Sequence, residues 1–214
     1  MAGGRLGTAS GAYSFVGGGL SNEAAGNGGS TVSGGYSNQA LGLGTAIVGG
    51  CRNYGTAFHG FIGGGNCNNV YNVTSGCLAY GAVVVGGVGN NTTGGTWSLA
   101  SCAFTVGPTF CNAGQYSFIG GGFQNSASGN YGAVAGGLFN KSAAVAFVGS
   151  GQSNTASGPH SFIGSGRLNT ASTYFSVVGG GRLNTVSAPT GSIVGGWANC
   201  ICTGGTTAFI GGVS

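Results

Sequence analysis

The stretch QYSFIGGGFQNSASGNY, residues 115–131, decides how the chain is read. It consists largely of glycine and small polar residues, yet two large apolar side chains, Phe118 and Ile119, stand side by side in it. The phrase returns as PHSFIGSGRLNTASTYF at 159–175, and an earlier version, GAYSFVGGGLSNEAAGN, occupies 11–27. Taking the β-branched residue ahead of each glycine pair as an anchor gives Val16, Val32, Val48, Ile62, Val84, Val106, Ile119, Val134, Val148, Ile163, Val178, Val194 and Ile210. Their spacings are 16, 16, 14, 22, 22, 13, 15, 14, 15, 15, 16 and 16. The two spacings of 22 bracket Val84 and read as coils that carry loop insertions.

A second column keeps the same register. Six residues after an anchor come Asn22, Asn38, Asn68, Asn90, Asn112, Asn125, Asn140, Asn154, Asn169 and Asn184, and five after come Asn53 and Asn199. A short fixed period of this kind marks a solenoid, and about fifteen residues is too short for a helical-hairpin repeat. Glycine pairs in every copy would also break helices. Two short strands joined by tight turns fit instead. Alternation along a strand puts Ile119 and Ser117 on one face and Phe118 on the other. Asparagine tolerates left-handed backbone better than most residues, which suits a turn at its column, and stacked amides there could form a hydrogen-bonded ladder. Two residues past most of the asparagines stands something small or β-branched, such as Ala24, Ala127, Ala156 or Val186. With the anchors these make a very narrow interior, and the glycines would let its opposite walls approach closely. Thirteen anchors at a strand spacing of about 4.8 Å predict a rod roughly 60 Å long.

Composition supports ordered stacking over a conventional globule. The 214 residues include 52 Gly but only 3% charged side chains, with 41% hydrophobic residues. Disordered chains are polar, highly charged or proline-rich. Glu23 is the sole carboxylate side chain, so a glycosidase pair, a Ser-His-Asp triad and a calcium cage cannot be assembled within one chain. No catalytic residue, metal site or cofactor is expected. The net charge of +4 is too thinly spread for a nucleic-acid footprint. No stretch approaches about 18 uninterrupted apolar residues, which argues against membrane insertion, and the opening MAGGRLGTASGAYSF lacks a signal-peptide core.

The expectation is one continuous all-β domain: a parallel β-solenoid (β-roll) of about 13 short coils of 13–16 residues with two longer looped coils. Residues 1–65 and 113–214 are its regular coils, and 66–112 are irregular coils with loop insertions. Phe15, Phe61, Phe118, Phe147, Phe162 and Phe209 precede their anchors and point outward. They form an apolar column that either meets its counterparts in a homotrimer or covers its own coils.

The repeat SFIGGGFQNSASGNYG resembles the head repeats of trimeric autotransporter adhesins and like repeats in phage tail fibres and viral surface proteins. The resemblance covers residues 8–214 and weakens between 66 and 112. It implies a trimeric β-roll with a structural and adhesive role, extracellular or on a virion surface. The implied partners are further copies of itself, surface glycans or a tail base protein. No secretion signal, coiled-coil stalk or membrane anchor accompanies the repeat, so a complete autotransporter is not expected. Both ends lie inside the repeat without caps, which points to head-to-tail stacking, docking on another protein, or a longer chain.

Other residues leave alternatives open. Seven cysteines, five of them between 51 and 111, either pin the irregular loops as disulfides or act as small buried fillers. Arg167 and Arg182, in adjacent coils, either grip an anion or form a solvated pair. Tyr71, Tyr80, Trp97 and Phe110 are the candidate adhesive aromatics, unless they close gaps between subunits. Thr155, Thr170 and Thr185 make a short column of the kind found on ice-binding solenoids, or simply suit an exposed strand. Asn72, Asn90, Asn91 and Asn140 match the glycosylation sequon. His59 and His160, assigned to different repeat positions, read as surface or loop residues.

Overall fold

The computed structural model describes residues 4–71, 80–98, 100–101, 103–202 and 207–212. Within them every regular element is β, and nearly all strands are two residues long. They stack into a parallel β-solenoid of about thirteen turns. One long wall is a 12-stranded parallel sheet running from Phe15–Val16 to Phe209–Ile210. Each strand pairs with the next coil in register, as Phe118–Ile119 does with Ala133–Val134 and that strand with Phe147–Val148. A second, shorter wall is broken in two: five strands from Thr8–Ala9 to Asn69–Val70, then six from Ser126–Ala127 to Cys200–Ile201. A third side is a file of single bridges that includes Val88, Phe123, Leu138, Gln152, Arg167, Arg182 and Trp197.

The interior is one side chain thick. Val16, Val32, Ile62, Val84, Ile119, Val134, Val148, Ile163 and Val178 are fully buried on the long wall, facing Ala24, Ala40, Ala127, Ala156 and Ala171 from the short wall. Where the short wall carries a larger residue, a neighbouring column gives way. A Cβ on Gly191 would lie 2.7 Å from Val186 Cγ1, and one on Gly60 would lie 3.1 Å from Val70 Cγ2. Constant volume per coil is what close packing demands of so thin a core.

Four sequence expectations are corrected. Ile47 and Ile193, not Val48 and Val194, point inward and are fully buried, while the two valines are half exposed. In AIVGG and SIVGG two β-branched residues adjoin, and strand alternation sends only one of them to the core. Val106 anchors no coil: it is exposed on an antiparallel hairpin pairing Thr96–Ser98 with Ala103–Val106. The long wall passes directly from Val83–Val84 to Phe118–Ile119. The two looped coils are therefore those from Ile62 to Val84 and from Val84 to Ile119, and between 66 and 112 the stretch through Val84 to Asn90 keeps the regular pattern. Finally, the left-handed residue at the turn is not the column asparagine but the one before it, as at Ser153, Leu168 and Leu183.

A second left-handed file lies two residues ahead of the long wall, at Tyr116, Tyr131, Val145, His160 and Phe175. Val145 is the poorest fit, because a β-branched side chain resists φ near 53°. Val145→Asn should raise stability by about 1 kcal/mol. That corresponds to about 2–4 °C in the thermal midpoint, and an unchanged or lowered midpoint would show that the corner is relaxed.

Candidate recognition surfaces

The asparagine column forms a buried spine. Asn22, Asn38, Asn53, Asn68, Asn90, Asn125, Asn140, Asn154, Asn169, Asn184 and Asn199 are all buried. Each Oδ1 accepts the backbone N–H of the next column asparagine, for example Asn169 N–H to Asn154 Oδ1 at 3.0 Å and Asn184 N–H to Asn169 Oδ1 at 3.0 Å. Nδ2 donates to a carbonyl of its own coil and one of the next: Asn154 to Ser150 at 3.0 Å and Gly166 at 2.9 Å. Asn112 is not part of this column. Asn125 N–H donates to Asn90 Oδ1 instead, and Asn112 bridges Tyr71 on the broken wall. Its spacing from Val106 coincided with the repeat, but Val106 lies on the hairpin.

That hairpin belongs to an inserted lobe, residues 91–111, which emerges where the short wall is interrupted. Thr92–Thr93 and Thr109–Phe110 pair antiparallel at its base. Two buried asparagines stitch the interruption. Asn91 Oδ1 accepts Ala127 N–H at 2.9 Å and its Nδ2 donates to the Asn69 carbonyl at 3.0 Å. Asn69 Nδ2 donates to the Cys111 carbonyl at 2.8 Å. The doublets Asn68-Asn69 and Asn90-Asn91 were the sequence signal for this role. Where the lobe meets the stack, Trp97 stands edge-on to Phe104 and Phe123, with centroids at 5.1 and 5.8 Å, and Phe123 continues to Phe139 at 5.6 Å.

The lobe leaves a groove on either side. The first, about 290 Å³, is lined by Ser37, Gln39, Arg52, Tyr54 and Phe110. Tyr54 stacks on Phe110 at 5.0 Å and tilts against Tyr71 at 5.7 Å. Gln39 Nε2 donates to Glu23 Oε2 at 2.9 Å. Burial, then the neighbouring Tyr71 and Glu23, push the Tyr54 phenol above its ordinary pKa. The second groove, about 300 Å³, lies between Thr92–Gly94 and, on the stack, the short-wall residues Ser126, Lys141 and Thr155 with the turn residues Gln124, Phe139 and Ser153. Of the four candidate adhesive aromatics, Tyr71, Trp97 and Phe110 therefore pack within or beneath the lobe, and Tyr80 meets Phe58 edge-on at 5.5 Å.

The outward face of the long wall is a separate surface. Phe15, Phe61, Phe118, Phe147 and Phe162 are 36–44% exposed and Phe209 is 71% exposed. Each ring folds over the glycine two residues on. A Cβ on Gly17 would meet the Phe15 ring at 3.2 Å, and one on Gly120 the Phe118 ring at 3.5 Å. At Ala46 and Ser192, where the first position is small, a valine fills the second, Val48 and Val194, whereas Ala133 is followed by Ala135 and Thr31 by Ser33. The result is a largely apolar strip with no charged residue on either outward row, interrupted by the hydroxyls of Thr31 and Ser33 on its second strand. The left-handed corner widens it with exposed Tyr116 stacked on Tyr131 at 5.3 Å and His160 on Phe175 at 5.0 Å. His59 and His160 share this corner column, contrary to the sequence reading, because each stands two residues before a long-wall phenylalanine.

The remaining candidates are quickly placed. Arg167 and Arg182 are exposed neighbours on the bridge file, between Gln152 and Trp197. Cys51, Cys67 and Cys111 are free thiols, Cys200 is joined to Cys202 across Ile201, and Cys77 and Cys102 lie outside the described residues. Burial pushes the Cys67 thiol above its ordinary pKa, with Arg52 pulling the other way. Asn90, Asn91 and Asn140 are buried, so the folded chain cannot present them for glycosylation, and Asn72 lies outside the described residues. Among the described residues no three His, Cys, Asp or Glu side chains come together. No family model matches the chain, and no curated protein is significantly similar to it.

Proposed function

We propose that this protein is a structural fibre element of an extracellular or virion surface, acting by stacking and self-association and contacting a target through the inserted lobe. The observation that carries this reading is the largely apolar strip along the twelve-stranded long wall. Eleven strand spacings of about 4.8 Å give it a length of about 50 Å. Monomers rarely leave a continuous patch of that size in water. Three rods packed long wall to long wall would cover it, as the likeness of the repeat to trimeric adhesin heads suggests. The charge pattern agrees: neither outward row of the long wall carries a charged side chain, so no like charges meet along the strip. This reading assigns the chain no catalytic step and no cofactor.

Sedimentation of the protein at micromolar concentration tests the proposal. The wild-type chain should sediment as a trimer, and a Phe147→Glu/Phe162→Glu double variant, which puts two carboxylates in place of rings stacked 5.6 Å apart, should sediment as a monomer. A monomeric wild type would overturn it.

A second reading, a monomeric ice- or surface-binding solenoid, draws on the in-register column Thr155–Thr170–Thr185, behind which Ser172 Oγ lies 3.3 Å from Ser187 Oγ. The threonine column is three coils wide, stopped by Lys141 on one side and Cys200 on the other. The apolar strip is four times as long, and for that reason we favour the fibre. Thermal hysteresis from a monomer would reverse the preference.

A further inference from the structure

We infer that the groove between the inserted lobe and the second half of the short wall is a binding site for a carboxylated sugar, with Lys141 as its anion contact. The inference rests on the recognition role proposed above and names the ligand class of one of its surfaces. Lys141 is the only lysine in the chain, and it sits in the groove wall with Ser126 and Thr155 beside it in register. The only carboxylate side chain, Glu23, stands on the same wall six strand positions away, roughly 29 Å at the usual spacing. It cannot neutralise Lys141, so that ammonium faces the groove with no protein acid within reach.

The rest of the lining suits a pyranose ring. Phe139 offers an exposed aromatic face, onto which the apolar C–H face of a sugar can lie. Thr93 and Thr155 line opposite sides of the cleft; Thr93 Oγ1 accepts from Cys111 Sγ at 3.7 Å, and threonine hydroxyls can both donate to and accept from ring hydroxyls. The roof is held in place: Gln124 Nε2 donates to the Gly94 carbonyl at 2.6 Å, tying the lobe to the wall. Phe139 in turn packs against Phe123, the ring on which the lobe rests. The volume of about 300 Å³ is at the small end of ligand sites, room for one or two sugar units.

A single ammonium selects a singly charged group. A phosphate or sulfate cluster would be better met by an arginine fork or several cations, and none lines this cleft. The groove on the other side of the lobe differs in this respect. It contains Arg52, but it also has the carboxylate of Glu23 beside it, bonded to the lining residue Gln39, which would repel an acidic ligand.

Calorimetric titration of the purified full chain with digalacturonate and with 3′-sialyllactose tests the inference, with lactose and the dimethyl ester of digalacturonate as neutral partners. At least one acidic sugar should bind with a dissociation constant of about 1 mM or tighter. It should bind about tenfold more tightly than its neutral partner. Lys141→Met should remove that preference, and Phe139→Ala should weaken both members of the pair while leaving the preference in place. Both side chains are exposed, so neither variant threatens the fold; unchanged protection of the Asn154 and Asn169 amides would verify this. Equal affinity for acidic and neutral sugars, an acidic preference that survives Lys141→Met, or no binding of either acid would each overturn the inference. Sedimentation reads the fibre proposal without any sugar, so a trimer that ignores acidic sugars would sink this site alone.

Discussion

Asn154→Leu should lower the thermal midpoint by about 10 °C. The two side chains branch alike, but leucine's methyls are bulkier than the amide, so at this fully buried site some overpacking adds to the loss of hydrogen bonds. Asn169 N–H has Asn154 Oδ1 as its acceptor, and Asn154 Nδ2 supplies the Ser150 carbonyl. Leucine leaves both of these backbone groups unpaired. Each buried orphan costs about 1–3 kcal/mol, and 1 kcal/mol moves a chain of this length by about 2–4 °C. The Gly166 carbonyl keeps one partner, the Gln152 N–H at 2.9 Å, and adds little to the cost. In a stack of nearest neighbours the damage should be local. Hydrogen exchange should therefore show the Asn169 amide losing protection before amides several coils away. A shift smaller than about 2 °C would mean that water replaces the amide, and that the asparagine spine is not what holds the coils in register.

Gly166→Ala should be more damaging still, enough to prevent recovery of folded protein or to cost more than about 4 kcal/mol. Gly166 has φ near +98°, and a Cβ there would run into the Gly181 carbonyl oxygen while lying 2.7 Å from Asn169 Nδ2. Those atoms belong to the next coil and to the spine, so relief requires opening the stack. Gly136→Ala is the matched comparison: a Cβ at that glycine meets nothing within 4 Å. Its expected effect is within about 0.5 kcal/mol, with a small gain from a less flexible unfolded chain. Circular dichroism melts of the two variants give the answer. If both behave alike, close approach between coils does not explain the glycine column. The sequence reading had attributed the glycines to the nearness of opposite walls; at Gly166 the obstructing backbone is instead that of the coil stacked alongside.

The period, the parallel stacking and the narrow interior could be read from residues 115–131 and their echoes, because a solenoid repeats its local rules at fixed intervals. The errors arose where local chemistry was ambiguous. AIVGG and SIVGG each offer two β-branched residues, and choosing the one nearest the glycines put Val48 and Val194 inside. The spacing of 15 from Ile47 to Ile62 would have settled the first case. TVGPTFCN imitates an anchor and its asparagine, yet Val106 and Asn112 lie on and just beyond an antiparallel excursion that no parallel repeat anticipates. The grooves were not legible at all. One depends on Gly94 meeting Gln124 and the other on Phe110 meeting Tyr54, contacts 30 and 56 residues apart within or across a section with no period.

By itself, then, the sequence determined that thin coils would pile up on a file of asparagines and glycines, and that reactive side chains would be scarce. Such features obey nearest-neighbour rules, which recur in every copy and can be counted. Only the tertiary structure decided how Asn69 and Asn91 close the broken wall, and that Lys141 faces a cleft. Each of those depends on where one unrepeated lobe comes to rest against the stack, and residues brought together only by folding leave no spacing to read.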